Sequence, residues 1–387
     1  MILSLKQTKA QSVFRSFVDR EIVPQAAEHD RLEHTPQELI QALGRRKYLS
    51  APVPETAGGG GMDMITFGLL CEEIGRGSAS LLSLVTVHGM VCQALMKWGT
   101  PEQVAAWLPG LAAGELIGAF GLTEPLTGSD AASVQTSAKA DGNHYVLSGR
   151  KKWISFGQVA DIFLILAACE GKPTVFLLDR RTPGLSITPL TGLLGFRAAM
   201  LAELTLQDCR VPAANLLGRL GFGVSHVVSG ALDYGRYCVA CGCTGLAQAC
   251  LEASVAYANQ REQFGVFLRE HQLIQRMIAD MITEIQASRL LWMHAGGLKE
   301  QGDPDTIMET SLAKYFASRM VNRVAADAVQ IHGASGCGPD YPVQRYYRDA
   351  KIMEIIEGST QIQQMIISTY GIWSLRRAAQ KRQKEDG

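Results

Sequence analysis

Two changes in the hydrophobic period constrain the fold of this chain more than any other feature. Before about residue 117, apolar residues recur at helical spacing. Short runs rich in β-forming residues then follow, separated by turn signals such as Asp141-Gly142-Asn143. After about residue 221, long segments with the 3.6-residue period return. The order is therefore helical, β, helical, which predicts an α+β protein with three domains.

We expect an N-terminal helical domain over residues 1–116, a central β-barrel-like domain over 117–221 and a C-terminal four-helix bundle over 222–374. A chain of 387 residues is long enough for two or three packed subdomains. Helical bundles build binding sites from facing helices and from helix ends. Residues 375–387 are rich in charge, which predicts a frayed helix end and a charged tail.

The charge of the chain is balanced, with 37 basic and 37 acidic residues. Zero net charge gives no reason to expect nucleic-acid binding or attraction to an anionic membrane. No apolar run reaches the ~18–20 residues of a transmembrane helix, and the N-terminus lacks the pattern of a signal or transit peptide. We therefore expect a cytoplasmic protein without a membrane span.

Nine cysteines are scattered without the spacing of a disulfide framework, which favours a reducing compartment. Cys238, Cys241 and Cys243 form a cluster with two interpretations. Cys-x-x-Cys can converge on one metal ion or act in redox chemistry. Alternatively, cysteine serves as a small apolar side chain on a buried helix that packs closely through Gly242 and Gly245. No second Cys or His pair is nearby, so we favour packing and expect no metal.

The segment "IIEGSTQ" (residues 355–361) places one carboxylate, Glu357, between segments typical of buried helix. It fits a helix end with its cap, and it fits a positioned base. A carboxylate that acts as a general base near neutral pH must be partly desolvated so that its pKa rises. Ile355 and Ile356 can provide this desolvation, and Gly358 permits a turn that a β-carbon would hinder.

Three polar segments could bind a nucleotide-like cofactor. Residues 120–130 leave a strand into a glycine-containing loop whose N–H groups and hydroxyls could hold a ring edge and a pyrophosphate. Residues 152–157 place an aromatic plane beside a hydroxyl, and residues 259–265 offer a cation, an amide and an aromatic ring. A surface loop, a core tryptophan and a solvated helix end are the respective alternatives, and spacing alone leaves them open.

Together, six segments in the right order resemble the acyl-CoA dehydrogenase family of flavoproteins, from about residue 5 to residue 373. They are residues 123–130 ("TEPLTGSD"), 151–155 ("KKWIS"), 209–218 ("CRVPAANLLG"), 257–265 ("YANQREQFG"), 330–333 ("QIHG") and 346–351 ("YYRDAK"). Three positions depart from the usual pattern of the family. Ala334 replaces a second glycine, Ile356 replaces a tyrosine before the base, and Ser359 replaces a threonine.

The resemblance implies FAD between the β-domain and the C-terminal helices of a homotetramer or homodimer. It implies that Leu122, Thr123 and Ser155 hydrogen-bond the flavin ring. The remaining cofactor-binding residues that it implies are Phe120, Gly128, Ser129, Trp153, Arg261, Gln263, Phe264, Gln330, Gly333, Ser359, Thr360 and Gln361. Five of these, Arg261, Gln263, Phe264, Gln330 and Gly333, would reach the FAD of a neighbouring subunit.

The family's usual base corresponds to Glu357. A minority of members carries the base at the position of Gly235, which has no side chain and cannot act. Arg236 would then lie near Glu357 and hold it in place, although a salt bridge within the bundle is the alternative. Ser129, Tyr234 and Gly358 are the implied substrate-binding residues, and Gly235, Thr86 and Met90 help to shape the pocket.

The resemblance implies oxidation of an acyl thioester, with α-proton abstraction by Glu357 and hydride transfer to flavin N5. The thioester is carried on CoA or on an acyl carrier protein, and electron-transfer flavoprotein or another acceptor takes the electrons. Residues 86–90 and the compact length are similar to a subgroup that serves hydroxymalonyl and methoxymalonyl extender units in antibiotic biosynthesis. The alternatives are an oxidase of the same fold that uses O₂ and a non-catalytic flavin-binding protein.

Overall fold

The N-terminal domain is helical. The computed structural model describes the backbone of residues 3–385 and the side chains of residues 3–374. The first six helices are α1 (Leu5–Phe17), α2 (Ala26–Leu32), α3 (Gln37–Arg45), α4 (Met64–Gly77), α5 (Ala79–Trp98) and α6 (Pro101–Ala113). Polar caps begin several of them: Asp63 accepts from the Thr66 N–H at the start of α4, and Thr100 forms a capping box with Gln103 at the start of α6.

The central domain is one mixed sheet of eight strands. The strands are β1 (Gly118–Gly121), β2 (Ser137–Asp141), β3 (His144–Ile154), β4 (Ile162–Cys169), β5 (Lys172–Asp179), β6 (Leu185–Pro189), β7 (Ala202–Pro212) and β8 (Leu216–Leu217). Their order is β6-β7-β3-β2-β4-β5-β8, and β1 pairs with β4 in parallel. The pairing of β3 with β7 shifts between Lys151 and Ile154, so the end of β3 is irregular where the polar segment 152–157 begins.

The C-terminal domain is a helical bundle arranged around one long helix. Its elements are α7 (Ser229–Ala258), the hairpin β9 (Glu262–Gln263) and β10 (Val266–Phe267), α8 (Gln272–Gln301), α9 (Thr306–His332), α10 (Val343–Met353) and α11 (Thr360–Glu385). Helix α7 packs against α4, α5, α8 and α9, so it joins the two helical domains. The backbone of α11 remains helical through Glu385, which covers most of the segment expected to be a tail, and residues 386–387 lie outside the described residues.

Close packing explains the composition of α7. A β-carbon at Gly245 would lie 1.7 Å from the backbone oxygen of Glu72 in α4, and one at Gly75 would lie 2.5 Å from the oxygen of Gly242. No side chain larger than hydrogen fits at these crossings. Cys238, Cys241 and Cys243 on the same helix are free and buried, and burial raises the pKa of Cys241 well above its usual range and that of Cys243 to about 12.

The Cys241 and Cys243 thiols are therefore protonated at neutral pH, whereas metal ligation requires thiolates. Within residues 3–374, no group of three or more His, Cys, Asp or Glu side chains is placed to hold a metal ion. Both observations support the packing interpretation of the cysteine cluster.

Two helices are longer and more apolar than the sequence led us to expect. Ala79–Trp98 and Gly223–Ala258 could each cross a membrane by length and composition alone, so the expectation that no apolar segment reaches this length is wrong. However, 89% and 72% of their most apolar windows are buried inside the protein. Their hydropathy is explained by contacts in the core, and it is no evidence for a membrane span.

A buried histidine joins the N-terminal domain to the sheet. The Nε2 atom of His88, in α5, lies 3.1 Å from the oxygen of Leu111, and its Nδ1 accepts a 3.2 Å hydrogen bond from the N–H of Gly118 at the start of β1. Burial lowers the pKa of His88 to about 4. The ring is therefore neutral, with both nitrogens used, at neutral pH.

Candidate active site

Glu357 lies in a turn between α10 and α11 with an unusual backbone. Its φ is +54°, and the φ of Gly358 is +92°, so two successive residues adopt the left-handed region. The carboxylate points at α7: a β-carbon at Gly235 would lie 2.5 Å from Oε2 of Glu357. This Oε2 atom is buried and has no hydrogen-bond partner among the described residues. Gly235 therefore provides the space that the carboxylate occupies.

Three buried side chains hold this turn. Arg236 Nε donates to the backbone oxygen of Glu357 at 3.1 Å. Gln363 Nε2 donates to the oxygens of Glu357 and Gly358, both at 3.2 Å. Lys314 Nζ donates to the Gly358 oxygen at 2.8 Å. The three donors come from α7, α11 and α9, so the bundle fixes the direction of the Glu357 side chain. Arg236 was expected here, whereas Gln363 and Lys314 were not singled out from the sequence.

The electrostatic environment places the Glu357 carboxyl between its two protonation states at neutral pH. Burial of the carboxyl group raises its pKa to about 7, and the charges of Arg236 and Lys314 act in the opposite direction. Burial also lowers the pKa of Lys314 to about 8 and that of Arg236 below its usual range. A carboxyl group with such a pKa suits general base catalysis.

The turn also leads into a helix cap, so the two interpretations of "IIEGSTQ", a cap and a base, concern different residues. The Ser359 hydroxyl accepts from the Ile362 N–H at 3.4 Å at the start of α11. The Thr360 hydroxyl is buried without a partner among the described residues, and Gln361 is exposed. Ser359 caps the helix, while Glu357 is free to act chemically.

Glu357 borders a small cavity of about 30 Å³ that opens to solvent. Its lining residues come from α5, α7, the end of β3, the segment between β6 and β7 and the turn before α11: Leu82, Ser83, Thr86, Val87, Ser155, Phe196, Val239, Ile356 and Glu357. Ser83 and Thr86 donate their hydroxyl protons to backbone oxygens of their own helix. The interior is therefore mainly apolar, with the Glu357 carboxylate at its edge.

Two of the residues expected to shape this pocket lie elsewhere. Tyr234 stacks on Phe67 with ring centroids 5.3 Å apart, and Met90 is buried in the core. Neither lines the cavity, whereas Thr86 does. Tyr234 is therefore not part of the cavity lining.

The end of β3 supplies the polar edge of the site. Ser155 lines the cavity, and Trp153, with a φ of +64°, is 50% exposed at the irregular end of the strand. Trp153 is therefore not a core residue. The Lys152 N–H donates to the Thr123 oxygen at 2.9 Å, which ties the loop after β1 to β3 beside half-buried Leu122. Phe120 is buried on β1.

A buried ion pair supports this loop, and the sequence analysis did not assign it a role. Lys151 Nζ lies 2.7 Å from Oε1 of Glu124, which also accepts from the N–H and hydroxyl of Thr136. These bonds hold the pKa of Glu124 at about 2, although burial acts in the opposite direction, and burial lowers the pKa of Lys151 to about 8. Lys151 also donates to the Leu122 oxygen at 3.2 Å.

The remaining expected cofactor residues do not meet Glu357 in the same protomer. Gly128 and Ser129 are exposed at the tip of the loop after β1. Arg236 and Ala258, near the two ends of α7, are 22 residues apart, which corresponds to about 33 Å along a helix.

Tyr257 stacks on His332 with ring centroids 4.3 Å apart, which brings the distal ends of α7 and α9 together. The exposed residues at this end are Arg261, Gln263, Phe264, Gln330 and Gly333. This placement is compatible with contacts to the cofactor of a neighbouring subunit, as the resemblance implies.

The geometry around the cavity fits a flavin between the sheet and the bundle. The unpartnered Oε2 of Glu357 borders the same cavity as the Ser155 hydroxyl, and the loop containing Leu122 and Thr123 is fixed beside the end of β3. Ser155, Leu122 and Thr123 would hold the polar edge of the ring, with Trp153 beside it.

Comparisons with known proteins cover nearly all of the chain. The profile of the acyl-CoA dehydrogenase N-terminal domain matches residues 4–115, that of the middle domain matches residues 119–209, and that of the C-terminal domain matches residues 222–370. The probable acyl-CoA dehydrogenase YngJ of Bacillus subtilis is 39% identical over 95% of this chain and 98% of its own length. Butyryl-CoA dehydrogenase from Megasphaera elsdenii has a TM-score of 0.92 at 34% identity, covering 96% of this chain and 99% of that one.

Three further solved structures share the fold. A chain from a structure of the electron transferring flavoprotein of Acidaminococcus fermentans has a TM-score of 0.92 at 34% identity. The match covers 95% of this chain and 98% of that one. The prolyl acyl carrier protein oxidase AnaB gives 0.91 at 27% identity, with coverages of 95% and 99%. FkbI, described for biosynthesis of a methoxymalonyl extender unit, gives 0.85 at 32% identity, with coverages of 94% and 99%. The three domain profiles in order and the full-length relatives show that the chain belongs to the acyl-CoA dehydrogenase family.

Proposed function

We propose that this chain oxidises a short acyl thioester and that Glu357 is the base that removes the α-proton. Its membership of the acyl-CoA dehydrogenase family makes it an FAD-dependent oxidoreductase that acts on acyl thioesters. The observation that supports the assignment of the base is the buried, unpartnered Oε2 of Glu357 at the edge of the cavity, in a carboxyl whose pKa is about 7. When bound, FAD supplies the acceptor for the hydrogen that leaves the β-carbon with its electron pair.

The residues of this chain contribute position, charge and exclusion of water. The Glu357 carboxylate takes the α-proton, and the charges of Arg236 and Lys314 favour the carboxylate form that can do so. The backbone N–H of Glu357 has no acceptor among the described residues, so it can donate to the thioester oxygen as negative charge develops there. Apolar residues around the cavity exclude water from the reacting carbons.

Bulky apolar side chains beside Glu357 favour a short acyl group. Leu82, Phe196 and Val239 line the cavity, whose volume is only about 30 Å³. The likeness to butyryl-CoA dehydrogenase agrees with a short acyl group. We therefore expect the rate of reaction to fall as the acyl chain lengthens beyond a few carbons.

The carrier of the acyl group has two candidates, CoA and an acyl carrier protein. The likeness to AnaB and FkbI favours the second candidate, including a role in extender units for polyketide antibiotics. Anaerobic flavin reduction should be measured with matched short acyl groups on CoA and on a carrier protein. Reduction by the carrier-bound set alone would assign the carrier protein, and reduction by CoA thioesters would remove the need for it.

The base assignment is tested with Glu357→Gln and a matched control. Glu354→Gln changes a nearby carboxylate that pairs with Lys351 at 2.7 Å. Glu357→Gln should retain FAD, measured by its visible absorbance, and should reduce it at least ~10³-fold more slowly under anaerobic conditions because the base is lost. Glu354→Gln should react at close to the wild-type rate. Rapid reduction in Glu357→Gln would contradict the assignment.

The electron acceptor is proposed to be electron-transfer flavoprotein, in agreement with the likeness to the Acidaminococcus chain. The alternative is an oxidase that passes electrons to O₂. Mixing the reduced enzyme with aerated buffer separates the two functions. Slow reoxidation in air and fast reoxidation by electron-transfer flavoprotein are expected, and the reverse order would assign the oxidase. A non-catalytic flavin-binding protein would show no reduction by any thioester.

We also propose a cytoplasmic homotetramer or homodimer. Phe264 is 94% exposed, and Leu273, Leu290 and Met365 on the bundle are also exposed. Such apolar surface on three elements of the bundle supports self-association. Light scattering of the purified protein should give a mass that is a multiple of the 41.9 kDa chain, and a monomer at micromolar concentration would contradict it.

A further inference from the structure

Lys314 is a buried cation whose role is not explained by packing alone. It lies on α9, has 0% relative exposure and donates from Nζ to the Gly358 oxygen at 2.8 Å and the Glu354 oxygen at 3.5 Å. Among the described residues, no carboxylate oxygen lies within 4.0 Å of its Nζ. Burying an ammonium group is costly unless specific partners compensate for lost hydration. Here two backbone oxygens flanking the Glu357 turn are the partners.

The hydrogen bond to Gly358 acts on the residue next to the proposed base. Glu357 carries a β-carbon yet has a φ of +54°, a conformation that persists only where surrounding contacts determine it. Arg236 and Gln363 hold the Glu357 oxygen, and Lys314 and Gln363 hold the Gly358 oxygen. Loss of Lys314 would therefore leave the Gly358 carbonyl with one neutral donor.

The charge of Lys314 also acts on the carboxyl group. The charged or titratable groups that face it are Glu357, Arg236, Glu354 and Cys243. Lys314 and Arg236 are the two cations that favour the carboxylate form of Glu357. Arg236 is itself partly compensated by the charge of Asp233, which pairs with Lys299. The charge of Lys314 acts on the carboxylate from α9, whereas that of Arg236 acts from α7.

We propose that Lys314 is a positioning residue for the reaction: its ammonium fixes the Gly358 carbonyl, aims the Glu357 carboxylate into the space beside Gly235 and stabilises that carboxylate. The inference rests on the proposed function of Glu357 as the base. It assigns Lys314 no contact with substrate or flavin. Its effect is transmitted through the turn and through its charge.

Three substitutions at Lys314 separate the effect of its hydrogen bond to Gly358 from the effect of its charge. Lys314→Gln can keep a donor toward Gly358 but lacks the charge. Lys314→Met removes both, and Lys314→Arg keeps the charge with a different reach. Lys351→Met is the matched control, because Lys351 is an exposed lysine in the helix before the same turn and pairs only with Glu354 among the described residues. Flavin absorbance selects variants that retain the cofactor.

The pH dependence of anaerobic flavin reduction is the main measurement. In Lys314→Gln and Lys314→Met, we expect the midpoint of the rise in rate to move up by about 1 pH unit, because a nearby cation no longer favours the carboxylate. Lys314→Met should also lose about tenfold or more in the limiting rate, with a smaller change in thioester affinity, because the base is less well aimed. Lys314→Arg should shift the midpoint less than either, and Lys351→Met should match the wild type.

Infrared titration gives a readout that does not depend on turnover. The protonated carboxyl band that disappears in Glu357→Gln identifies Glu357, and its titration midpoint should rise in Lys314→Gln. A purely structural role for Lys314 would lower stability without moving this midpoint.

The outcomes distinguish this inference from the assignment of the base. Unchanged midpoints and limiting rates in Lys314→Gln and Lys314→Met, together with loss of reduction in Glu357→Gln, would overturn the role of Lys314 alone. Retained reduction in Glu357→Gln would overturn the base assignment first.

Discussion

Gly235 and Glu357 occupy complementary space across the interface between α7 and the turn before α11. A β-carbon on Gly235 would lie 2.5 Å from Oε2 and 2.7 Å from Cδ of Glu357. Real β-carbons do not approach carboxylate atoms so closely. A side chain at Gly235 would therefore displace the Glu357 carboxylate from the position that it occupies here.

Gly235→Ala should displace the Glu357 carboxylate while leaving the helix intact, since alanine favours helices more than glycine does. We expect flavin reduction to slow by at least ~10²-fold with FAD retained, because small misplacement of a catalytic group is costly. Gly230→Ala, in the same helix, is the control, because a β-carbon at Gly230 would meet nothing within 4 Å. Stopped-flow absorbance measures both variants, and wild-type rates in Gly235→Ala would contradict the packing argument.

The rate of flavin reduction should rise with pH through about 7, because Glu357 must be deprotonated to accept a proton and burial raises its pKa to that value. Arg236→Gln removes a cation that favours the carboxylate, so the midpoint should move to higher pH. Arg323→Gln, at an exposed pair with Glu284, should leave the midpoint unchanged. A downward shift in Arg236→Gln would show that this electrostatic account has the wrong sign.

Glu124→Gln should destabilise the central domain and loosen FAD. The substitution leaves Lys151 buried without its anionic partner, which typically costs about 3–5 kcal/mol in the free energy of unfolding. Arg150→Gln is the control. Arg150 precedes Lys151 in the sequence and forms a more exposed pair with Glu203, so its loss should cost less than about 1 kcal/mol in the free energy of unfolding. Urea unfolding measures both free energies. If both variants lost the same small amount of unfolding free energy, the Glu124–Lys151 pair would not hold the loop.

Wild-type stability should fall between pH 7 and pH 5 partly because of His88. Burial lowers its folded pKa to about 4, so the unfolded chain binds a proton below its ordinary pKa of about 6.5 while the folded chain does not. This difference contributes a loss of about 2 kcal/mol over that interval. His88→Gln lacks the titrating ring, so its loss over the same interval should be smaller by about that amount in urea unfolding. If the wild type and His88→Gln lost the same stability between pH 7 and pH 5, the contribution of His88 would be excluded.

The sequence predicted the helical, β, helical order because hydrophobic periodicity is a local property. It also predicted that Glu357 and Arg236 belong together, because the resemblance supplied their roles. Spacing could not decide between a cap and a base for "IIEGSTQ", since the answer depends on what faces each residue. Ser359 caps α11, and Glu357 borders the cavity.

Tyr234 illustrates a different limit. The resemblance implied that it binds substrate, but its ring stacks on Phe67 and it is not among the residues that line the cavity. One residue along a helix turns the side chain by about 100°, so neighbours in the sequence need not face the same space. Two apolar helices likewise matched the length of membrane spans, and only their burial accounted for their composition.

By itself, the sequence determined the order of the domains and the family, and it singled out the carboxylate that we propose as the base, because these are carried by periodicity and by short motifs. Only the tertiary structure placed Lys314 and Gln363 at the Glu357 turn, 43 residues before it and six residues after it. Hydrogen bonds between distant segments, and the burial that raises the pKa of Glu357, exist only once the helices have packed. The chemistry of this carboxylate is therefore set by the folded bundle.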